Sequence, residues 1–132
     1  MKLAHGIVMA LSAVALSGCL ASKKAPPPAI GNVSHTALAT MERVALGAKQ
    51  CWFKSGDSEF RQYTLAPELV SYTGRPRILV VPAKNPNDRP LLVVQAEGNP
   101  GRMERFGPLM QSPLAERIER DTARWASGQR SC

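Results

Sequence analysis

Apolar positions change their rhythm four times along this chain, and each change marks a different kind of segment. From Leu3 to Leu16 the run is almost continuously apolar, broken by His5, Gly6 and Ser12. It falls short of the ~20 residues a helix needs to span a bilayer, and it has the length of a signal-peptide hydrophobic region. Residues 20–33 then lose all apolar periodicity. Pro26, Pro27 and Pro28 favour an extended polyproline II spacer, and Ala, Ser and Lys around them offer no face to pack. From Ser34 a helical rhythm begins. Ser34 suits an N-cap, and Leu38, Met41, Ala45, Ala48 and Trp52 recur at helical spacing, with Val44 and Cys51 widening the stripe. This helix is expected to stop between Cys51 and Phe53, before the turn residues Ser55 and Gly56.

The middle of the chain reads as strands. Phe60, Tyr63, Leu65, Leu69, Val70 and Tyr72 lie in an extended segment, either one strand bulged at Pro67 or two short pieces. Arg77 to Val81 is a β-branched run between prolines, and Leu91 to Ala96 is the next strand. Residues 84–88 and 98–101 carry loop and turn chemistry. Residues 102–106 fit either a return strand or a helical turn, since Met103 and Phe106 are three apart. A final helix is expected from the N-cap Ser112 and Pro113 to Gly128. Its inner face would hold Leu114, Ile118, Thr122 and Trp125. Its outer face would hold Glu116, Arg117, Glu119, Arg120, Asp121 and Arg124, with Glu116 and Arg120 as a four-apart pair.

The expected architecture is therefore α+β. A three- or four-stranded antiparallel meander carries the N-terminal and C-terminal helices together on one face. The domains read as a signal peptide over 1–18, a Pro-rich tether over 19–33 and one small domain over 34–132. A domain of about 100 residues buries a real core but stays marginally stable, so a covalent staple would help it.

Charge narrows the partners. The whole chain has 17 basic and 10 acidic side chains. The excess favours anionic partners such as lipid headgroups or lipopolysaccharide phosphates. Nucleic acid is not expected, because no basic run exceeds Lys23 and Lys24 and no recognition motif occurs.

Leu16, Ser17, Gly18 and Cys19 follow the apolar run directly. These four residues resemble the lipobox of bacterial lipoproteins. The resemblance implies cleavage before Cys19, a diacylglycerol on the Cys19 thiol and acylation of its new amine. Several acyl chains hold a protein stably on a membrane, where one chain would be marginal. Leu20 stands where an Asp would favour inner-membrane retention, so the resemblance leans toward the outer membrane. Lys23 and Lys24 would then lie near the headgroups, either touching anionic lipid or keeping the tether soluble.

With Cys19 lipidated, Cys51 and Cys132 remain. The compartment implied by the lipobox is oxidising, and paired cysteines there usually bond. A disulfide would pin the chain terminus to the end of the first helix. A free thiol at a frayed terminus and a bond to another molecule are the alternatives.

Candidates for chemistry are sparse. His35 is the sole histidine after Cys19, so neither a metal site nor a catalytic His is expected. No Ser lies in a Gly-x-Ser-x-Gly setting. Glu68 and Glu97 are the carboxylates nearest the strands. Gly98 to Gly101 lacks the Lys of a phosphate cradle. Trp52 and Trp125 each end a helical stripe and are expected in the core near the disulfide. Arg75, Arg77 and Arg89 flank strand ends and could form an anion-binding patch. No cofactor is implied.

The stretches 51–57, 63–69, 74–82, 90–100 and 106–110 resemble small lipoproteins of alphaproteobacteria, a likeness that implies no activity. The functional expectation is a lipid-anchored cell-envelope module with its domain in the periplasm. It would bind an envelope protein, peptidoglycan or lipopolysaccharide without catalysis. A periplasmic enzyme, or an inhibitor of one such as a lysozyme inhibitor, is the alternative.

Overall fold

A computed structural model describes residues 33–132. The signal-peptide and tether readings, and Cys19, lie outside the described residues. The first helix, α1, spans Ala37–Ala48 and continues into a wider π-helical turn over Lys49–Lys54. Four strands follow: β1 Tyr63–Glu68, β2 Arg77–Pro82, β3 Leu92–Glu97 and β4 Arg102–Phe106. A short 3₁₀ turn at Pro108–Gln111 leads to the second helix, α2, over Ala115–Ala126. The strands pair in the order β1-β2-β3-β4, all antiparallel, so the α+β meander has four strands.

Helix α1 starts two residues later than Ser34 would allow. Thr36 caps it instead, its hydroxyl oxygen accepting the Ala39 N–H at 3.3 Å. The buried face consists of Ala37, Thr40, Met41, Val44, Ala45, Gly47 and Ala48, and the π turn keeps Cys51 and Trp52 on that side. Leu38, expected on the inner stripe, is 44% exposed. Ala37 takes the inner position in its place, because Gly98 accepts the Ala37 N–H at 3.0 Å and fixes the helix start against the β3–β4 turn.

The residues 102–106 form a return strand. Met103 packs against the core while Phe106 is exposed on the opposite face, as period-two alternation requires. Pro67 sits in β1 opposite Ile78 in unbroken register, and an edge strand tolerates it without a bulge. Ile78, Val80, Leu92, Val94 and Ala96 face the helices and join Met41, Trp52, Phe60, Ile118 and Trp125 in one core. On the other face, Ala66, Leu79, Val93 and Phe106 align across all four strands, beside a polar row of Glu68, Arg77, Gln95 and Glu104.

The helices meet at a glycine. A Cβ on Gly47 would overlap the Trp125 indole. Arg43 reinforces the contact. Its Nε and Nη2 donate to the Ala126 carbonyl at 3.2 and 2.8 Å, and its Nη1 donates to the Ser34 carbonyl at 2.7 Å. A guanidinium on the last carbonyl of α2 satisfies an orphan acceptor and complements the helix dipole. Gly128, at φ 100°, ends α2 where expected. Ser112 is not the N-cap of α2: regular helix begins at Ala115 with Leu114 at the cap position, and the Ser112 hydroxyl instead accepts the Leu114 N–H at 3.1 Å in the turn before it.

Alanine is the better helix former, by about 1 kcal/mol at an unencumbered site. At position 47 the sign reverses. Gly47→Ala forces Trp125 out of place and is expected to cost about 2 kcal/mol, the ordinary price of overpacking, in a urea titration followed by tryptophan fluorescence.

Candidate functional site

The residues with the strongest chemistry converge on the contact between α2 and the π turn. Asp121, expected on the outer face of α2, is 3% exposed. The reason is spacing: Ile118, Asp121, Thr122 and Trp125 all lie on one face of the helix, and that face is buried. Asp121 Oδ2 accepts the Trp52 indole N–H at 2.9 Å, and Oδ1 accepts from Arg124 Nη2 at 2.7 Å. Arg117 Nε lies 3.4 Å from Oδ2. The four-apart ion pair on α2 is thus Arg117 with Asp121, rather than Glu116 with Arg120.

Arg117 extends the network. Its Nη2 donates to Asp57, its Nη1 to Glu59, and its guanidinium lies 5.3 Å from the Phe60 ring centroid. The hydrogen bond from Arg117, helped by the Glu59 backbone N–H, holds the Asp57 carboxyl below its usual range. The Asp57 carboxylate in turn raises the Arg117 pKa. Phe60 stacks on Trp52 at 4.5 Å, and Trp125 meets Trp52 edge-on at 5.1 Å. Both tryptophans are 1% exposed, so their role is packing, as their stripes predict.

Cys51 and Cys132 sit beside this cluster with their sulfurs bonded and their Cα atoms 5.3 Å apart, inside the range a disulfide tolerates. Residues 127–132 are thereby drawn back along the helices. Trp125 Nε1 donates to the Ser131 carbonyl at 3.1 Å, and Arg124 Nη2 to the Cys132 carbonyl at 2.8 Å. Between α1 and this tail runs an open groove of about 320 Å³, lined by Leu46, Gln50, Trp125, Gln129 and Arg130 among others. Arg43 also borders it, but its guanidinium is committed to backbone carbonyls.

The remaining candidates do not assemble into a reaction centre. Glu68 and Glu97 lie on β1 and β3, two strand spacings apart across the sheet and two residues out of register, roughly 12 Å in all. Arg77 pairs with Glu68 at 2.6 Å and Arg75 with Glu97 at 3.2 Å. The arginine patch is therefore split. Arg75 and Arg77 stand at the start of β2, each facing a carboxylate, while Arg89 lies in the loop after the other end of β2. His35 is exposed, and its carbonyl accepts the Gly101 N–H at 2.6 Å. The Gly98–Gly101 turn packs on the start of α1, where a Cβ on Gly101 would come within 2.8 Å of the Ala37 Cα. In β4, Arg105 Nε donates to Thr122 at 2.6 Å, and burial lowers the Arg105 pKa.

Among the described residues, no group of three His, Cys, Asp or Glu side chains is placed to hold a metal ion. No described helix is long and apolar enough to cross a membrane. No family model matches the chain, nor does any curated protein or any solved structure.

Removing Asp121 leaves the buried Trp52 N–H without its acceptor and takes one carboxylate partner from each of Arg117 and Arg124. Asp121→Ala is expected to destabilise the domain by about 3 kcal/mol in denaturant titration, the lower end for breaking a buried ion pair. Asp57 sets a pH window. Its folded pKa is depressed, so its contribution is complete above the ordinary value of 3.8 and is lost as pH falls through the folded value. Acid titrations of thermal stability should therefore show Asp57→Asn weaker than the parent at neutral pH. The two should converge below the folded pKa, and a constant gap at all pH values would contradict the pairing.

Proposed function

We propose that this chain is a lipid-anchored lipoprotein of the cell envelope whose domain works in the periplasm by binding rather than by catalysis. The observation that carries the reading is the sequence Leu16-Ser17-Gly18-Cys19 directly after an apolar run too short to span a membrane. The Cys51–Cys132 bond supports it independently, because structural disulfides persist in oxidising compartments. The carboxylates nearest the strands and helices support the second half. Glu68, Glu97, Asp57 and Asp121 are each paired with arginine, which uses their charge to hold the fold. Leu20 at the position after Cys19 favours the outer membrane. The partner would be an envelope protein, peptidoglycan or lipopolysaccharide, and the open groove beside the tail is the surface we assign to it.

Intact mass spectrometry of the protein from envelope fractions tests the anchor. The expected species begins at Cys19 and carries a diacylglycerol and an amide-linked acyl chain. Cys19→Ala should remain uncleaved and lose membrane association. An unmodified thiol at Cys19 in the envelope-derived protein would overturn the reading. Crosslinking in living cells, with a photoreactive residue in place of Gln129, then identifies what occupies the groove.

A further inference from the structure

We infer that the domain docks on the bilayer surface through the end that carries the β1–β2 turn, with Val70 and Tyr72 entering the headgroup region. The inference rests on the lipid anchor proposed above and deepens it.

Connectivity supplies the first argument. The chain enters the domain at the start of α1, which is fastened to the β3–β4 turn: Ala37 donates to the Gly98 carbonyl at 3.0 Å and Gly101 to the His35 carbonyl at 2.6 Å. The β1–β2 turn lies at that same end of the sheet. Ala96 N–H donates to the Pro76 carbonyl at 3.1 Å, and Arg75 reaches Glu97 at 3.2 Å. The start of the described chain and the two turns therefore lie at one end of the domain.

Composition supplies the second. Val70 is 97% exposed and Tyr72 fully exposed, and both lie in the eight-residue connection between β1 and β2. Residues 69–76 and 98–101 contain no carboxylate, and their one charged side chain is Arg75. Leu38 and Val33, also exposed, lie on the first turn of α1 and just before it. Four of the six large apolar residues exposed on the described domain thus gather at the tether end. The loops at the opposite end carry Asp57, Glu59, Arg61, Lys84, Asp88 and Arg89. Tyrosine is favoured at membrane interfaces, where its ring is apolar and its hydroxyl stays wet. Arg75 is already paired with Glu97, so the case for this tip rests on its exposed apolar side chains.

Chain length supplies the third. Thirteen residues, 20–32, separate Cys19 from Val33. Their full extension is about 45 Å, long enough to let the domain stand off from the surface or lie against it. The tether permits contact without imposing it, so the surface chemistry of the tip decides.

The test uses the acylated, full-length processed protein reconstituted in vesicles of phosphatidylethanolamine and phosphatidylglycerol with brominated acyl chains. One variant is Tyr72→Trp and the other Phe106→Trp, at the far end of β4. Both positions are exposed, so neither change touches the core, and Trp52 and Trp125 give a constant buried background. Flotation and mass spectrometry first establish that the chain is lipidated and vesicle-bound. The expected result is a blue shift and bromine quenching of Trp at 72, with Trp at 106 unquenched. Quenching at neither position, or equally at both, overturns tip-first docking while leaving the anchor intact. A blue shift at 72 without bromine quenching marks a protein partner, including a second copy, and likewise overturns it. A chain that carries no lipid on Cys19 and fails to float overturns the anchor and this inference together.

Discussion

A buried carboxylate organises this domain. Asp121 cannot be left charged in an apolar interior without compensation, because an unpaired ion there costs several kcal/mol. Its compensation comes from an indole N–H on the π turn and two guanidinium groups on its own helix. Helix α2 is therefore held in one rotation and one height against Trp52. A purely apolar contact between the same elements would hold them together without fixing that register. Each further member of the network depends on this placement: Arg117 reaches Asp57 and Glu59 only because its own helix is fixed, and Phe60 stacks on a Trp52 whose edge is already tied.

The disulfide acts on the same region by a different route. It closes a loop with a sequence separation of 81 residues, for which chain entropy alone predicts roughly 4–5 kcal/mol as an upper figure. That covalent constraint acts mainly on the unfolded chain. In the folded domain its effect is local, bringing the Ser131 and Cys132 carbonyls to Trp125 and Arg124. The bond and the buried ion are thus complementary. One limits the conformations available before folding, and the other selects the packing adopted after it.

Much of the architecture was legible in the sequence, for physical reasons. Strands β2 and β3 follow from apolar runs bounded by prolines and turns, α2 from its apolar stripe and glycine end, and the four-stranded order from short connections. The strand over 102–106 was ambiguous because five residues cannot distinguish a period of two from one of 3.6 when apolar residues fall three apart. Asp121 was misplaced although its spacing from Ile118 and Trp125 put it on the buried face. A charged residue ordinarily takes the solvent face, whereas in the fold the Trp52 N–H and two arginines reverse that balance. Leu38 was misplaced because the entry to α1 is set by tertiary hydrogen bonds to the β3–β4 turn, which no local pattern contains. The arginine patch failed for the same reason. Nearness in sequence to strand ends does not say which end, nor that a carboxylate on the adjacent strand will take each charge.

What the chain does with its charges bears on what it is for. Among the described residues, the ion pairs consume acidic groups on the sheet, the helix and the loop before β1, and each partner is an arginine. Arginine suits such work because its planar fork can serve several acceptors at once, as Arg43 and Arg117 do. The hydrogen bond from Arg117 holds the Asp57 carboxyl below its usual range, which opposes service as a general acid near neutrality. Glu42, Asp88, Glu104, Glu116 and Glu119 enter no such pair among the described residues, and the surface also carries exposed apolar side chains: Val70 and Tyr72 on a turn, Phe106 on the open sheet face and Leu38 on α1. Commitment of Asp57, Glu59, Glu68, Glu97 and Asp121 to the rigidity of the fold, with apolar side chains exposed at one end, supports the binding role proposed above.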